Sequence, residues 1–214
     1  MIRRLVLLVA LLVARPAAAD VFEHPADAAL LARVLAPAAG VLKDAQSLRG
    51  RYRQTKQLAD LPQPLVAEGD FLFARALGIA WRTVTPFPAE LLITPDALVQ
   101  RNGGAEQRIE AAHQPAVRAI AQLFFAVFTL DFDTLTAVFR PYAEAHVDGQ
   151  WTLGLRPLQA LGAIEEIEIR GGTMVADVEL RERGGDRTRI ELLATEASAV
   201  ALSDADRARF ASRP

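Results

Sequence analysis

From Ala116 to Leu130 the chain carries Val117, Ile120, Leu123, Phe124, Phe125, Val127, Phe128 and Leu130, with Arg118 and Gln122 nearly the only polar side chains. A helix that is apolar nearly all round must be buried. At about fifteen residues it is short of the roughly twenty that cross a bilayer, so the rest of the chain has to cover it. On both sides of it the pattern has a period of two, the mark of strands with one wetted face. Neither half closes a sheet alone, so both must cooperate around the helix in one domain.

Before the helix, Leu48, Gly50, Tyr52, Gln54, Lys56 and Leu58 alternate with Arg49, Arg51, Arg53, Thr55 and Gln57. The arginines there form the solvated face of a strand, not a nucleic-acid patch. Leu65 to Arg75 repeats the pattern, with Leu65, Ala67, Gly69, Phe71 and Phe73 on one side. Gly78 to Val84, Glu90 to Ile93, Ala97 to Arg101 and Glu106 to Glu110 follow, punctuated by proline and glycine turns. After the helix, strands are expected at Leu135 to Glu144, Gln150 to Arg156, Ile164 to Ile169, Met174 to Leu180 and Thr188 to Leu193. An amphipathic helix from Asp27 to Leu42, interrupted at Pro37 and Gly40, precedes them all. About ten or eleven strands with apolar helices predict a mainly β fold with α: a strongly curved, incomplete antiparallel barrel whose helices lie over its open face as a lid.

Residues 1–19 have the form of a secretory signal. Arg3 and Arg4 precede the apolar run Leu5 to Ala14, and Ala17-Ala18-Ala19 fits a cleavage site before Asp20. The expected organisation is therefore a signal peptide over 1–19, a single half-barrel domain over 20–202 and a polar tail over 203–214 with a helix start at Ser203. No cysteine occurs, which leaves neither disulfides nor a lipid-modified cysteine. An exported, soluble, monomeric protein in the periplasm is the expectation. The formal net charge of −2 gives no reason to expect nucleic acid as a partner.

Groups for catalysis are not gathered anywhere. His24, His113 and His146 lack partners at metal-ligand spacing. The serines stand in no nucleophile motif, and Asp131, Asp133 and Glu165-Glu166 read as turn and strand-end residues. No enzyme, catalytic residue, metal or cofactor is expected. What the chain has in surplus is apolar side chains, and a cavity for an acyl chain would use them, at roughly 0.8 kcal/mol per buried methylene. Its expected lining is Phe71, Phe73, Ile79 and Trp81 from the sheet and Ile120, Leu123, Phe124, Val127 and Phe128 from the helix.

The strand L-R-G-R-Y-R-Q-T-K and the stretch G-D-F-L-F-A-R-A-L-G-I-A-W resemble the periplasmic outer-membrane lipoprotein carriers of the LolA type. The family pattern G-x-x-x-x-x-R-P-x-x-x-x-W is matched in register by Gly69, Arg75 and Trp81. Ala76 stands where the family has proline, and T-P-D-A-L-V-Q-R-N stands where it has an aromatic hairpin.

The resemblance implies a half-barrel closed by helices that takes acylated cargo from an inner-membrane complex and hands it to an outer-membrane receptor. It also implies that Arg75 is a latch that bonds lid backbone in the closed state and lets go when cargo enters. A relative serving another lipid or glycolipid cargo beside a membrane exporter fits the same residues. So does an accessory protein that docks on an export complex and carries nothing. A carrier needs open space of several hundred cubic ångström, whereas an accessory protein can be packed solid.

Overall fold

A computed structural model describes residues 20–114, 118, 121, 122, 125, 126, 128, 129 and 131–211. Eleven strands run in chain order: β1 (Ser47–Gln57), β2 (Leu65–Ala74), β3 (Gly78–Thr85), β4 (Ala89–Ile93), β5 (Ala97–Asn102), β6 (Ala105–Glu110), β7 (Phe139–Ala145), β8 (Trp151–Pro157), β9 (Ile164–Gly171), β10 (Val175–Glu182) and β11 (Arg187–Ser198). They form one antiparallel sheet in the order β6-β5-β4-β3-β2-β1-β11-β10-β9-β8-β7. Each half of the chain is thus a meander of sequence neighbours, and the two meanders are joined by β1 pairing with β11, from Ser47 opposite Ser198 to Gln57 opposite Arg187. The segment between β6 and β7 has to travel from one open edge to the other, and the apolar helix lies on that path. This is why its described residues Ala121, Ala126 and Phe128 sit in the concave core of an open, curved half-barrel.

Period-two alternation sorts the side chains between the faces. Leu48, Phe73, Ile79, Ile93 and Leu98 form one cross-strand row, and on the other half Leu153, Ile169 and Val178 form another. These rows meet Leu31, Val34, Leu35, Ala38 and Leu42 of the N-terminal helices in one core. The convex side of β8 to β11 carries charges instead, with Arg181 bonded to Glu166, Glu168 and Glu179, and Arg156 bonded to Glu166.

The N-terminal helix is in two pieces and a helix follows Ser203, as expected, whereas one strand start is corrected. The N-terminal helix is divided into α1 (Ala28–Val34) and α2 (Ala36–Leu42), joined at Leu35. Pro37 therefore opens the second piece, where a missing N–H costs nothing, and Gly40 lies inside it. Strand β7 begins at Phe139 instead of Leu135, because 132–138 is the helix α3 (Phe132–Val138). Asp131 caps it by accepting from the Thr134 amide at 3.0 Å, and that cap decides a short segment whose periodicity is ambiguous. The tail is docked to the sheet: after the N-cap Ser203, the helix α4 (Asp204–Phe210) runs on the convex face. There Leu202 and Phe210 pack on Leu72, Ala80, Leu92, Ala97 and Val99.

The two sheet edges are guarded differently. Residues 24–26 lie along β7, with the Ala143 amide donating to the His24 carbonyl and the Ala26 amide to the Pro141 carbonyl, both at 3.0 Å. Phe22 then anchors on the convex side, edge-on to Tyr142 at 5.4 Å and beneath the Arg156 guanidinium at 4.6 Å. Gly154 makes that seat possible, because a Cβ there would fall 2.9 Å from the Phe22 ring. The edge strand β6 has exposed charges, Arg108 pairing with Glu110, which discourage pairing with other chains.

Candidate functional site

The turn after β2 places Arg75 beside the end of α2. Its backbone amide donates to the Gln46 carbonyl at 3.0 Å. Its guanidinium reaches across, Nε donating to the Ala45 carbonyl at 2.9 Å and Nη2 to the Leu42 carbonyl at 2.6 Å. The last carbonyls of a helix have no partners within it, and a cation at that end is favourable. Hydrogen bonds from a charged donor are worth about 1.5–3 kcal/mol. Arg75 therefore ties the β2–β3 hairpin to the end of the helix pair α1–α2. The hairpin is tight: Gly78 adopts φ +129°, and a Cβ on it would fall 2.1 Å from the Ile93 carbonyl oxygen.

Of the expected cavity residues, Phe71, Phe73, Ile79 and Phe128 are brought together in the concave core, with Trp81 packed at its margin. Phe128 stacks on Phe73 at 4.9 Å, and Phe125 meets Phe73 edge-on at 6.0 Å. Trp81 stacks on Phe71 at 5.7 Å and touches Tyr52 at 4.2 Å. Ile120, Leu123, Phe124 and Val127 lie outside the described residues. Among those described, Ala121, Ala126 and Phe128 are buried while Arg118 and Gln122 are exposed.

Open space lies on either side of this aromatic packing. Beyond Trp81 a groove of about 390 Å³ is lined by Gln54, Ala67, Trp81, Leu91, Leu98 and Ile190, among others. Tyr52 stands behind Trp81, its hydroxyl 2.7 Å from Thr83 Oγ1, and burial pushes that hydroxyl's pKa up. A second cavity, of about 650 Å³, lies beside the central helix and is lined by Pro95, Ala121, Phe125, Ala126, Thr129 and Asp131, among others. Sequence reasoning named Trp81 but not Leu91, Leu98 or Ile190. Their signal was available in the alternation, since Leu91 pairs with Trp81 and Leu98 with Ile93.

Asp131 marks where the central helix gives way to α3. Its carboxyl accepts from the Thr134 hydroxyl at 2.7 Å and from the Thr134 amide. Those bonds hold its pKa below the ordinary 3.8. A carboxylate with a depressed folded pKa contributes fully above its unfolded value and loses the contribution as pH falls through the folded one. Asp131→Ala is expected to cost about 1 kcal/mol at pH 7. In denaturant titrations the gap between parent and variant should narrow as pH falls below the ordinary 3.8 and through the lower folded value; a gap that stays the same throughout would show that the carboxylate's charge plays no part in the cap.

Among the described residues, no cluster of three or more His, Asp or Glu is placed to hold a metal, and no helix is long and apolar enough to cross a membrane. His24 and His113 are exposed, and His146 lies 2.9 Å from the Thr152 hydroxyl.

A family model described as outer membrane lipoprotein carrier protein LolA matches residues 43–205. The chain belongs to the LolA family. Proteins of that family are periplasmic and bind or carry, rather than catalyse. The matched region of this LolA-family chain contains Gly69, Arg75, Trp81 and all eleven strands, whereas α1, α2 and most of α4 lie outside it. No curated protein matches the sequence. Among solved structures, the chain is similar to a LolA superfamily protein from Nitrosomonas europaea, with 10% identity over 81% of this chain and 94% of that one and a TM-score of 0.43. A putative outer membrane lipoprotein-sorting protein domain from Vibrio parahaemolyticus shares 9% identity over 85% of this chain and 100% of that one, TM-score 0.43. MucB of Pseudomonas aeruginosa in complex with MucA shares 13% identity over 86% of this chain and 61% of that one, TM-score 0.35.

Proposed function

We propose that this LolA-family protein is a periplasmic carrier. After loss of residues 1–19 it takes the acyl chains of a lipoprotein or other lipid into the concave groove and carries them from the inner to the outer membrane. The observation that carries this reading is Arg75: one guanidinium holds the Leu42 and Ala45 carbonyls at the end of helices whose apolar faces cover the sheet beside a groove of about 390 Å³. Breaking those bonds frees α1–α2 to move off the concave face, and the space behind Trp81 then joins the space under the helices. An inner-membrane release complex and an outer-membrane receptor are the partners such a carrier requires, and it works as a monomer.

A second reading is favoured by one observation. Phe71, Phe73 and Phe128 are packed ring on ring, as in an accessory protein that docks on a membrane export complex and carries nothing.

Native mass spectrometry of the protein purified from periplasm without detergent separates the two. A lipid-sized adduct that disappears on denaturation supports the carrier; a clean mass, unchanged after incubation with acylated peptide or phospholipid, supports the accessory protein. For the latch, Arg75→Leu is expected to keep its adduct when mixed with acceptor vesicles under conditions in which the unaltered protein empties. Equal emptying would remove Arg75 from the mechanism.

A further inference from the structure

The convex face bears an apolar row that the mechanism above does not use. Leu72 pairs with Ala80, Ala80 with Leu92 and Leu92 with Val99, so the row crosses β2, β3, β4 and β5. All four side chains are almost fully buried, under Leu202 and Phe210 of the C-terminal segment. Strand alternation puts two other rows on the opposite face of the same strands: Phe71, Trp81, Leu91 and Gln100 on one side of the convex row, Phe73, Ile79, Ile93 and Leu98 on the other. The C-terminal segment therefore clamps, from outside, the wall that lines the groove inside.

Its fastenings are few and identifiable. Arg101, with a side chain only 6% exposed, is held by Glu90 and Glu106 and donates to the carbonyls of Arg209 at 3.0 Å and Ala211 at 2.7 Å. Arg209 reaches Asp70 and Glu90 at 3.4 and 3.7 Å, and Arg49 reaches Asp206 at 3.2 Å. No residue of α4 itself is buried. A helix of this length has no stability of its own in water, so it is ordered only while docked. Apolar contacts at its two ends and ion pairs along it hold the segment in place without making it part of the core.

We propose that residues 202–211 are a detachable strap that sets the curvature of the β2–β5 wall and thereby how far the groove behind Trp81 can open. This rests on the carrier reading for its functional consequence, though not for the clamp itself. Docked, the strap holds the four strands bent around the groove; undocked, it leaves their convex side uncovered and the strands held by their ladder and the concave core alone, free to flatten and widen the space.

The test uses the full mature chain carrying Phe210→Ser or Arg49→Ala, compared with the unaltered protein by amide exchange and by uptake of a dansylated fatty amide. Phe210→Ser is expected to speed exchange in β2–β5 by roughly tenfold and leave β8–β10 unchanged, and to speed probe uptake. Arg49→Ala, which removes one exposed ion pair, should move the same peptides in the same direction by a smaller factor, and it decides alone if Phe210→Ser does not fold. Unchanged exchange in β2–β5, or an equal rise in β8–β10, overturns the strap. If the unaltered protein takes up no probe, the carrier reading fails, and the exchange comparison still decides the clamp.

Discussion

Replacing Gly69 with valine is expected to lower stability by about 3 kcal/mol or more. A Cβ at this position would fall 1.8 Å from the Arg82 carbonyl oxygen and 2.9 Å from the Tyr52 ring. The first obstacle is backbone, which cannot rotate away as a side chain can. It arises because the β2–β3 register shifts here: Glu68 faces Thr85 while Gly69 faces Thr83, which crowds the β3 backbone against β2. The glycine is demanded by space and not by a left-handed backbone conformation, so even alanine should be costly. For a domain of this size the loss corresponds to a Tm lower by roughly 6–12 °C, read by circular dichroism. A valine variant melting within 2 °C of its parent would mean that the bulge relaxes freely.

The second large effect is expected at Phe73. It is 1% exposed, stacked on Phe128 and touched edge-on by Phe125, so Phe73→Ala removes two ring contacts between the sheet and the described residues of the central helix. Large-to-small changes of this kind cost about 3–5 kcal/mol. Denaturant unfolding measures that cost, and amide exchange at 121–129 should rise as the helix loses its seat. The variant also tests the carrier reading, because the vacated volume adjoins the concave groove and a lipid adduct should be retained or enlarged. Phe87→Ala is the control: that ring is 79% exposed on the β3–β4 turn, and its loss should stay within about 0.5 kcal/mol. Equal losses at the two positions would show that the aromatic packing under the helix is loose.

Some of the site was legible in the sequence. Arg75 stands out because it lies between the apolar runs of β2 and β3, and the hairpin does aim it at a helix end. Its acceptors were not legible: Leu42 and Ala45 are about thirty positions away, and backbone carbonyls look alike in a sequence. Reading 132–138 as strand failed because a seven-residue segment satisfies both periods, and a single cap at Asp131 tipped it. The tail read as polar because Phe210 is its one large apolar side chain and stands among arginines, while the other anchor, Leu202, lies just before it. The tail's charges matter through partners at Arg49, Asp70, Glu90 and Arg101, which only folding brings near.

Apart from 132–138, the sequence by itself determined the elements and the faces. Period-two alternation assigned each strand an inner and an outer side, and the all-round apolarity of 116–130 required the rest of the chain to cover that segment. The tertiary structure decided the rest: which edge each terminal segment covers, that Arg75 holds α2, and that the convex row is sealed by the tail. It also decided that the rings of Phe71, Phe73 and Phe128 fill the centre and leave the open groove beyond Trp81. The reason is physical. Periodicity is a local property of the backbone, legible over a few residues, whereas contacts between distant segments depend on shape and pairing that exist only after the sheet has curved.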